Sequence, residues 1–99
     1  MSDAQILADL YQVILDRKAN PQEGSYTNYL FTKGQDKILK KVGEEAAETI
    51  IASKNNDPAE IIYEASDLLY HLLVLLAHHQ IEPQKIYAEL AKRRQEMKG

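Results

Sequence analysis

Cysteine is absent from this 99-residue chain. Its absence excludes disulfides, thiol catalysis and zinc or iron–sulfur centres held by cysteine. A long apolar run is also missing, because the most apolar stretch, residues 68–77, includes His71 and is about half as long as the roughly 20 residues that a membrane span needs. The first ten residues contain no basic segment followed by an apolar one, so we expect no signal peptide, no membrane partner and a cytoplasmic location.

A surplus of basic residues is missing as well, since 12 Lys and Arg stand against 15 Asp and Glu and the formal net charge is −3. Affinity for a nucleic-acid backbone depends on a clear basic surplus, so we expect no nucleic-acid partner. The apolar share of 44% and the charged share of 27% are ordinary for a soluble globular protein. The length suits a single domain, 1–99, and a domain this small gains core by forming a homo-oligomer.

No segment alternates apolar and polar residues over a useful length, so we predict no strands and an all-α fold. Ser2 starts the first predicted helix as part of a capping box, and Asp57 followed by Pro58 starts the third main one. Short loops between the helices favour a four-helix-bundle-like protomer. The predicted segments are four main helices over 2–18, 36–54, 58–79 and 83 onward, with a short helical turn over 25–31.

The third main helix has an unusual surface, because residues 68–76 are apolar nearly all round. Such a helix must be covered on more than one side. The other helices of so short a chain do not suffice, and we therefore expect an intertwined homodimer with an interface there. His71, within this stretch, fits either a group at a functional site or a satisfied core histidine.

Two pairs of acidic residues are spaced three positions apart, Glu45 with Glu48 and Glu64 with Asp67. Positions i and i+3 share one side of a helix. The break at 55–57 is short enough to make the two helices antiparallel neighbours, so the four carboxylates can converge. Carboxylates on an apolar helix are costly and repel one another, and a divalent cation removes both problems. Ligation by oxygen alone favours Mg²⁺, with Mn²⁺ as a substitute, over zinc.

Lysines accompany the acids of the second main helix, where Lys37 and Lys41 share a stripe with Glu44 and Glu48. A metal held by carboxylates beside lysines suits a phosphate ligand, since both neutralise phosphoryl oxygens. The ordinary alternative is a solvated helix face, on which each lysine–glutamate pair four residues apart contributes only about 0.3–0.5 kcal/mol. On spacing alone, a metal site and a solvated helix face are about equally well supported.

The acid motif and several further segments carry a resemblance to a known family. The E-x-x-E and E-x-x-D pairs, with 15 residues between Glu48 and Glu64, resemble the motif of the MazG-like all-alpha nucleoside-triphosphate pyrophosphohydrolases. Within that superfamily the chain is similar to the phosphoribosyl-ATP pyrophosphohydrolases over most of its length, from about Leu7 to Arg94. The segments that carry this similarity are 25–27, 30–31, Gly34, 37–48 and 63–71.

The resemblance implies a Mg²⁺-dependent homodimeric enzyme that hydrolyses phosphoribosyl-ATP to phosphoribosyl-AMP and pyrophosphate, the second step of histidine biosynthesis. It implies four metal ligands, Glu45, Glu48, Glu64 and Asp67. It also implies a set of substrate-binding residues, namely Ser25, Tyr26, Thr27, Lys37, Lys40 and Lys41. A carboxylate that coordination leaves free, Glu44 or Glu48, would act as general base. Together with the metal ligand Glu45, these two residues make up the implied catalytic set of Glu44, Glu45 and Glu48.

Two other functions stay open at this point. A housecleaning pyrophosphohydrolase acting on dCTP or noncanonical nucleotides would share the acid motif, although residues 25–27 and the lysine-rich segment favour phosphoribosyl-ATP. A non-catalytic helical dimerisation module would use its acids for solubility and would show no stability response to Mg²⁺. Some members of the family are fused to the cyclohydrolase of the next step, which uses cysteines for zinc. This cysteine-free chain is expected to stand without that domain.

Overall fold

The computed structural model describes residues 3–99 and places them in a 3₁₀ turn, Asp3–Gln5, and five α-helices. The helices are α1 Ile6–Ala19, α2 Tyr26–Lys33, α3 Gln35–Lys54, α4 Pro58–His78 and α5 Pro83–Lys98. No strand occurs in this part of the chain, so the all-α prediction is confirmed. The predicted short turn is a helix of eight residues, α2, between the first two long helices. Ser2, the predicted first cap, lies outside the described residues.

Two helix starts have a capping side chain, and the second of them, at Asp57, was predicted from the sequence. Ser25 precedes α2, and its hydroxyl oxygen accepts a hydrogen bond from the backbone N–H of Asn28 at 3.3 Å. Asp57 precedes α4, and its carboxylate accepts from the backbone N–H groups of Ala59 and Glu60 at 3.1 and 3.4 Å. These bonds give partners to amide groups that the helix itself leaves free.

Gly34 joins α2 to α3 with φ 94° and ψ −173°, a conformation that glycine alone adopts readily. No atom lies within 4 Å of a Cβ added there, so Gly34→Ala introduces backbone strain without a clash. We expect it to lower the free energy of unfolding by about 1–3 kcal/mol in urea denaturation. Gly43→Ala is the matched control, because Gly43 lies inside α3 with equal room, and it should stabilise by about 0.5–1 kcal/mol. A Gly34→Ala protein as stable as the control would contradict this account.

The core lies where α1 and α3 pack on α4 and α2 packs on α1 and α3. Its buried apolar residues are Tyr11, Ile14, Leu30, Ile38, Leu73, Val74 and Ala77. Lys18 of α1 fastens the end of α4, because its Nζ donates a hydrogen bond of 2.9 Å to the backbone oxygen of Ala77. The backbone N–H of Gln80 donates to the same oxygen at 3.1 Å, so this carbonyl at the end of α4 accepts two hydrogen bonds. The packing of α1 therefore fixes the position of α4, on which half of the acidic residues of interest lie.

The helices α3 and α4 form the most extensive helix pair within residues 3–99. Only residues 55–57 separate them, so they run antiparallel. In this part of the chain, α4 is the one helix long and apolar enough, by length and composition alone, to cross a membrane. The central helix of a soluble bundle meets the same criterion, and α4 contributes four buried residues to the interior of the protein.

Candidate active site

The antiparallel packing of α3 on α4 brings the predicted acid pairs together. Glu45, Asp67 and His71 form one group, and Glu45, Glu48 and Glu64 form another. Within each group, one potential ligand atom per residue lies within 4.8 Å of the others. Glu45 belongs to both groups and is therefore the central residue. Glu45, Glu48, Glu64 and Asp67 are called the carboxylate site below.

Two carboxylate oxygens of this site are buried and unpartnered. Glu45 is only 3% exposed, and its Oε1 lies 3.4 Å from Nζ of Lys41. Its Oε2, like the Oε2 of Glu64, has no hydrogen-bond partner among residues 3–99. A buried oxygen that carries charge and lacks a partner is costly and uncommon in folded proteins. The donor set is therefore suited to a hard divalent cation, which would give both oxygens a partner.

The electrostatics of the carboxylate site also favour a bound divalent cation. The neighbouring carboxyl group of Glu64, with which Glu48 can share a proton, raises the pKa of Glu48 above its ordinary value. Burial raises the pKa of Asp67, and the neighbouring Glu45 adds to the rise. Crowded carboxylates hold protons more tightly because each additional negative charge disfavours the next. The cations already present in the chain thus leave negative charge at this site uncompensated.

The three lysines of the predicted substrate set occupy different places. Lys41 lies in the carboxylate site, with its Nζ 3.4 Å from Glu45 and 3.8 Å from Oε2 of Glu44. Lys37 lies one turn nearer the N-terminus of α3, with its Nζ 5.8 Å from the centre of the Tyr29 ring. Lys40 is exposed and forms no ion pair within the described part of the chain. The structure therefore brings one of the three lysines directly to the acids.

His71 connects α2 to the carboxylate site. It is 2% exposed, and its Nδ1 lies 2.8 Å from the backbone oxygen of Asp67, which can only accept. In a neutral imidazole this contact places the proton on Nδ1. The Nε2 then accepts a hydrogen bond of 2.9 Å from the hydroxyl of Tyr26. Burial raises the pKa of Tyr26, which keeps the phenol protonated as this bond requires.

The contact between Tyr26 and His71 was not predicted from the sequence, because the two residues are 45 positions apart. The available signal was the spacing of His71 one turn after Asp67, which indicated a place beside the acids but no partner. Thr27 has a similar role to Tyr26, since its hydroxyl forms a hydrogen bond with the hydroxyl of Tyr70 on α4. Ser25, the third member of that predicted segment, uses its hydroxyl in the α2 cap.

Fold and site together define an all-helical protein whose acidic centre lies between two antiparallel helices and is flanked by lysine, tyrosine and histidine. A sequence profile of the phosphoribosyl-ATP pyrophosphohydrolase family matches residues 7–94. The chain belongs to this family, as its motifs predict. The matched range includes every residue of the carboxylate site.

Curated relatives are of two kinds. A phosphoribosyl-ATP pyrophosphatase of Pelotomaculum thermopropionicum is 58% identical over 96% of this chain and 97% of its own length. One of Listeria monocytogenes is 65% identical over 89% of this chain and 84% of its own. A histidine biosynthesis bifunctional protein HisIE of Thermoanaerobacter pseudethanolicus is 63% identical over 88% of this chain. The chain spans only 40% of that bifunctional relative's length.

Proposed function

We propose that this chain hydrolyses phosphoribosyl-ATP to phosphoribosyl-AMP and pyrophosphate, the second step of histidine biosynthesis. The observation that carries the proposal is the pair of buried, unpartnered oxygens of Glu45 and Glu64, in a carboxylate site within the family's matched range. Carboxylates arranged this way on rigid helices suit the binding of a divalent cation, which would stabilise the charge that builds up on phosphate oxygens during hydrolysis.

Mg²⁺, or Mn²⁺ in its place, is the proposed cofactor. Glu45, Glu48, Glu64 and Asp67 would hold it, and the two oxygens without partners support this assignment. When bound, the ion supplies Lewis-acid stabilisation of the phosphate oxygens. His71 positions its neighbours, because it keeps Tyr26 directed toward α4 through the bond to Nε2.

The remaining chemistry falls to the side chains of the chain. Lys41 would neutralise part of the polyphosphate charge from its place beside Glu45. Hydrolysis forms a bond from a water oxygen to phosphorus, breaks the anhydride bond between the α and β phosphates, and gives the water proton to a base. Glu44 suits the role of base, since it lies outside both ligand groups and its side chain is 42% exposed. Glu48 is the second candidate for this role.

The proposed enzyme acts as a homodimer in the cytoplasm, with 1–99 as one domain. Large apolar side chains are exposed on the surface of the single chain. Their exposure supports the proposal that a second copy of the chain packs over α3 and α4. The most exposed of them on these two helices are Ile50, Ile51, Ile62, Tyr63 and Leu69. Light scattering should give a mass near twice the 11.3 kDa of the chain, and a mass equal to one chain would contradict the dimer.

A panel of substrates tests the proposed activity. Release of pyrophosphate is measured with phosphoribosyl-ATP, ATP, dCTP and a noncanonical triphosphate at equal concentration with Mg²⁺. We expect kcat/KM for phosphoribosyl-ATP to exceed each of the others by about tenfold or more, because their binding lacks the phosphoribosyl contacts. Higher kcat/KM for dCTP or the noncanonical triphosphate would instead assign a housecleaning role. If pyrophosphate is released from none of the four compounds, the chain does not have the proposed enzymatic activity.

A further inference from the structure

Tyr29 on α2 gathers two lysines that the carboxylate site does not use. The residue is 41% exposed, and Nζ of Lys33 and Nζ of Lys37 each lie 5.8 Å from the centre of its ring. Lys33 follows Tyr29 by one turn of α2, whereas Lys37 comes from α3 beyond the bend at Gly34. Attraction between an ammonium group and the face of an aromatic ring gives each lysine a preferred place. Tyr29, Lys33 and Lys37 are called the tyrosine–lysine surface below.

The charge of this surface is not balanced by the protein itself. Neither lysine forms an ion pair with a carboxylate among residues 3–99, although the chain carries more acids than bases. Attraction of each ammonium group to this exposed ring is worth only about 0.5–1 kcal/mol and neutralises neither charge. A bound anion would give both lysines a partner of opposite charge. Lysine is a common point-charge ligand of phosphate, so a phosphate group is the anion that fits best.

A line of aromatic rings connects this surface to the carboxylate site. The rings of Tyr29 and Tyr26 are stacked with centres 6.0 Å apart. The ring of Tyr26 lies edge-on to that of His71 at 5.7 Å, and His71 contacts Asp67. The tyrosine–lysine surface is therefore two ring-to-ring steps away from the acids. A single ligand with phosphates at both ends could reach both places across the rings.

We infer that the tyrosine–lysine surface binds the phosphate of the ribosyl group of the substrate, separately from the triphosphate at the carboxylate site. The inference rests on the proposed function, because phosphoribosyl-ATP carries two phosphate-bearing arms whereas ATP carries one. Lys41 stays with the acids through its contacts to Glu44 and Glu45. Lys33 and Lys37 then bind the ribosyl phosphate, which phosphoribosyl-ATP has and ATP lacks. Tyr29 is the positioning residue that holds the two lysines.

Four variants test this assignment in one assay. Lys33→Met removes a charge, Tyr29→Leu removes the ring, Tyr29→Phe keeps the ring, and Lys54→Met is a control that removes an exposed lysine at the end of α3. For each protein we measure KM and kcat for phosphoribosyl-ATP, and the inhibition constant of ATP as a competitor. Thermal unfolding confirms that each variant is folded.

We expect Lys33→Met to raise KM for phosphoribosyl-ATP about tenfold, the loss of one charge-assisted contact, with kcat and the ATP inhibition constant within about twofold of the unsubstituted protein. Tyr29→Leu should raise KM in the same direction, while Tyr29→Phe and Lys54→Met leave all three constants unchanged. An equal rise in KM and in the ATP inhibition constant would place the lysine on the triphosphate and overturn the inference. Unchanged KM in Lys33→Met would overturn it too. Absence of phosphoribosyl-ATP turnover before any substitution would refute the proposed function itself.

Discussion

Replacement of Glu45 by Gln is expected to lower kcat for phosphoribosyl-ATP by about 10²- to 10⁴-fold, the range found when one charged group of a catalytic centre is removed. The reason is that Glu45 belongs to both possible ligand groups, so it cannot be bypassed by a neighbouring carboxylate. The amide of glutamine has nearly the same shape but no charge to share with a cation. Pyrophosphate release at saturating substrate and Mg²⁺ measures the loss.

The stability of the same variant separates a functional role from a structural one. Among residues 3–99, Oε2 of Glu45 has no hydrogen-bond partner, and the side chain forms its one ion pair with Lys41. We therefore expect the melting temperature of metal-free Glu45→Gln to stay within a few degrees of that of the unsubstituted protein. Glu96→Gln, at an exposed position on α5, is the matched control and should retain full activity. Unchanged turnover in Glu45→Gln would remove Glu45 from the active site.

Addition of Mg²⁺ is expected to raise the melting temperature of the metal-free protein strongly. An ion at about 100 times its dissociation constant adds about 2.7 kcal/mol to the free energy of unfolding, or roughly 10–20 °C for a domain of this size. Glu64→Gln should lose most of the rise, because Glu64 supplies one of the two buried oxygens that lack a partner in the described chain. Equal rises in both proteins would show that the ion binds elsewhere.

The pH dependence of this stabilisation has a defined sign. The pKa values of Glu48 and Asp67 are raised above the ordinary 4.5 and 3.8, so the metal-free folded protein holds more protons than the unfolded chain. Their contribution to metal-free stability is present below the ordinary values and is lost as pH rises through the raised ones. Metal binding requires the deprotonated groups. The rise in melting temperature caused by Mg²⁺ should therefore be small near pH 4 and grow toward pH 7.

Much of this fold could be predicted because its signals are local. Asp57 and Pro58 define the start of α4 by capping chemistry alone. The convergence of the acids follows from helical spacing and a short loop, and the structure brings Glu45 close to Asp67 and Glu48 close to Glu64. The length of α2 was underestimated, because Gly34 lets a second helix start without an intervening loop.

The surroundings of the acids could not be predicted in the same way. Tyr26 meets His71 only because the folded chain brings the start of α2 close to α4, and no spacing along the chain reports a contact between residues so distant in sequence. The same limit applies to Lys37 and Lys41, because their shared stripe on α3 predicted a single cluster of lysines. In the folded chain a turn of helix separates Lys41 at the acids from Lys37 at Tyr29. Local patterns place residues on a helix face, and tertiary packing decides what that face meets.

The central claim is that a carboxylate-held divalent cation drives hydrolysis of phosphoribosyl-ATP by this chain. Its most direct test is pyrophosphate release from phosphoribosyl-ATP by the metal-depleted protein, before and after Mg²⁺ is added back in excess of EDTA. The account predicts turnover at background level in EDTA and full recovery with Mg²⁺, in proportion to enzyme concentration. Turnover that persists in EDTA, or that Mg²⁺ fails to restore in folded protein, would contradict it.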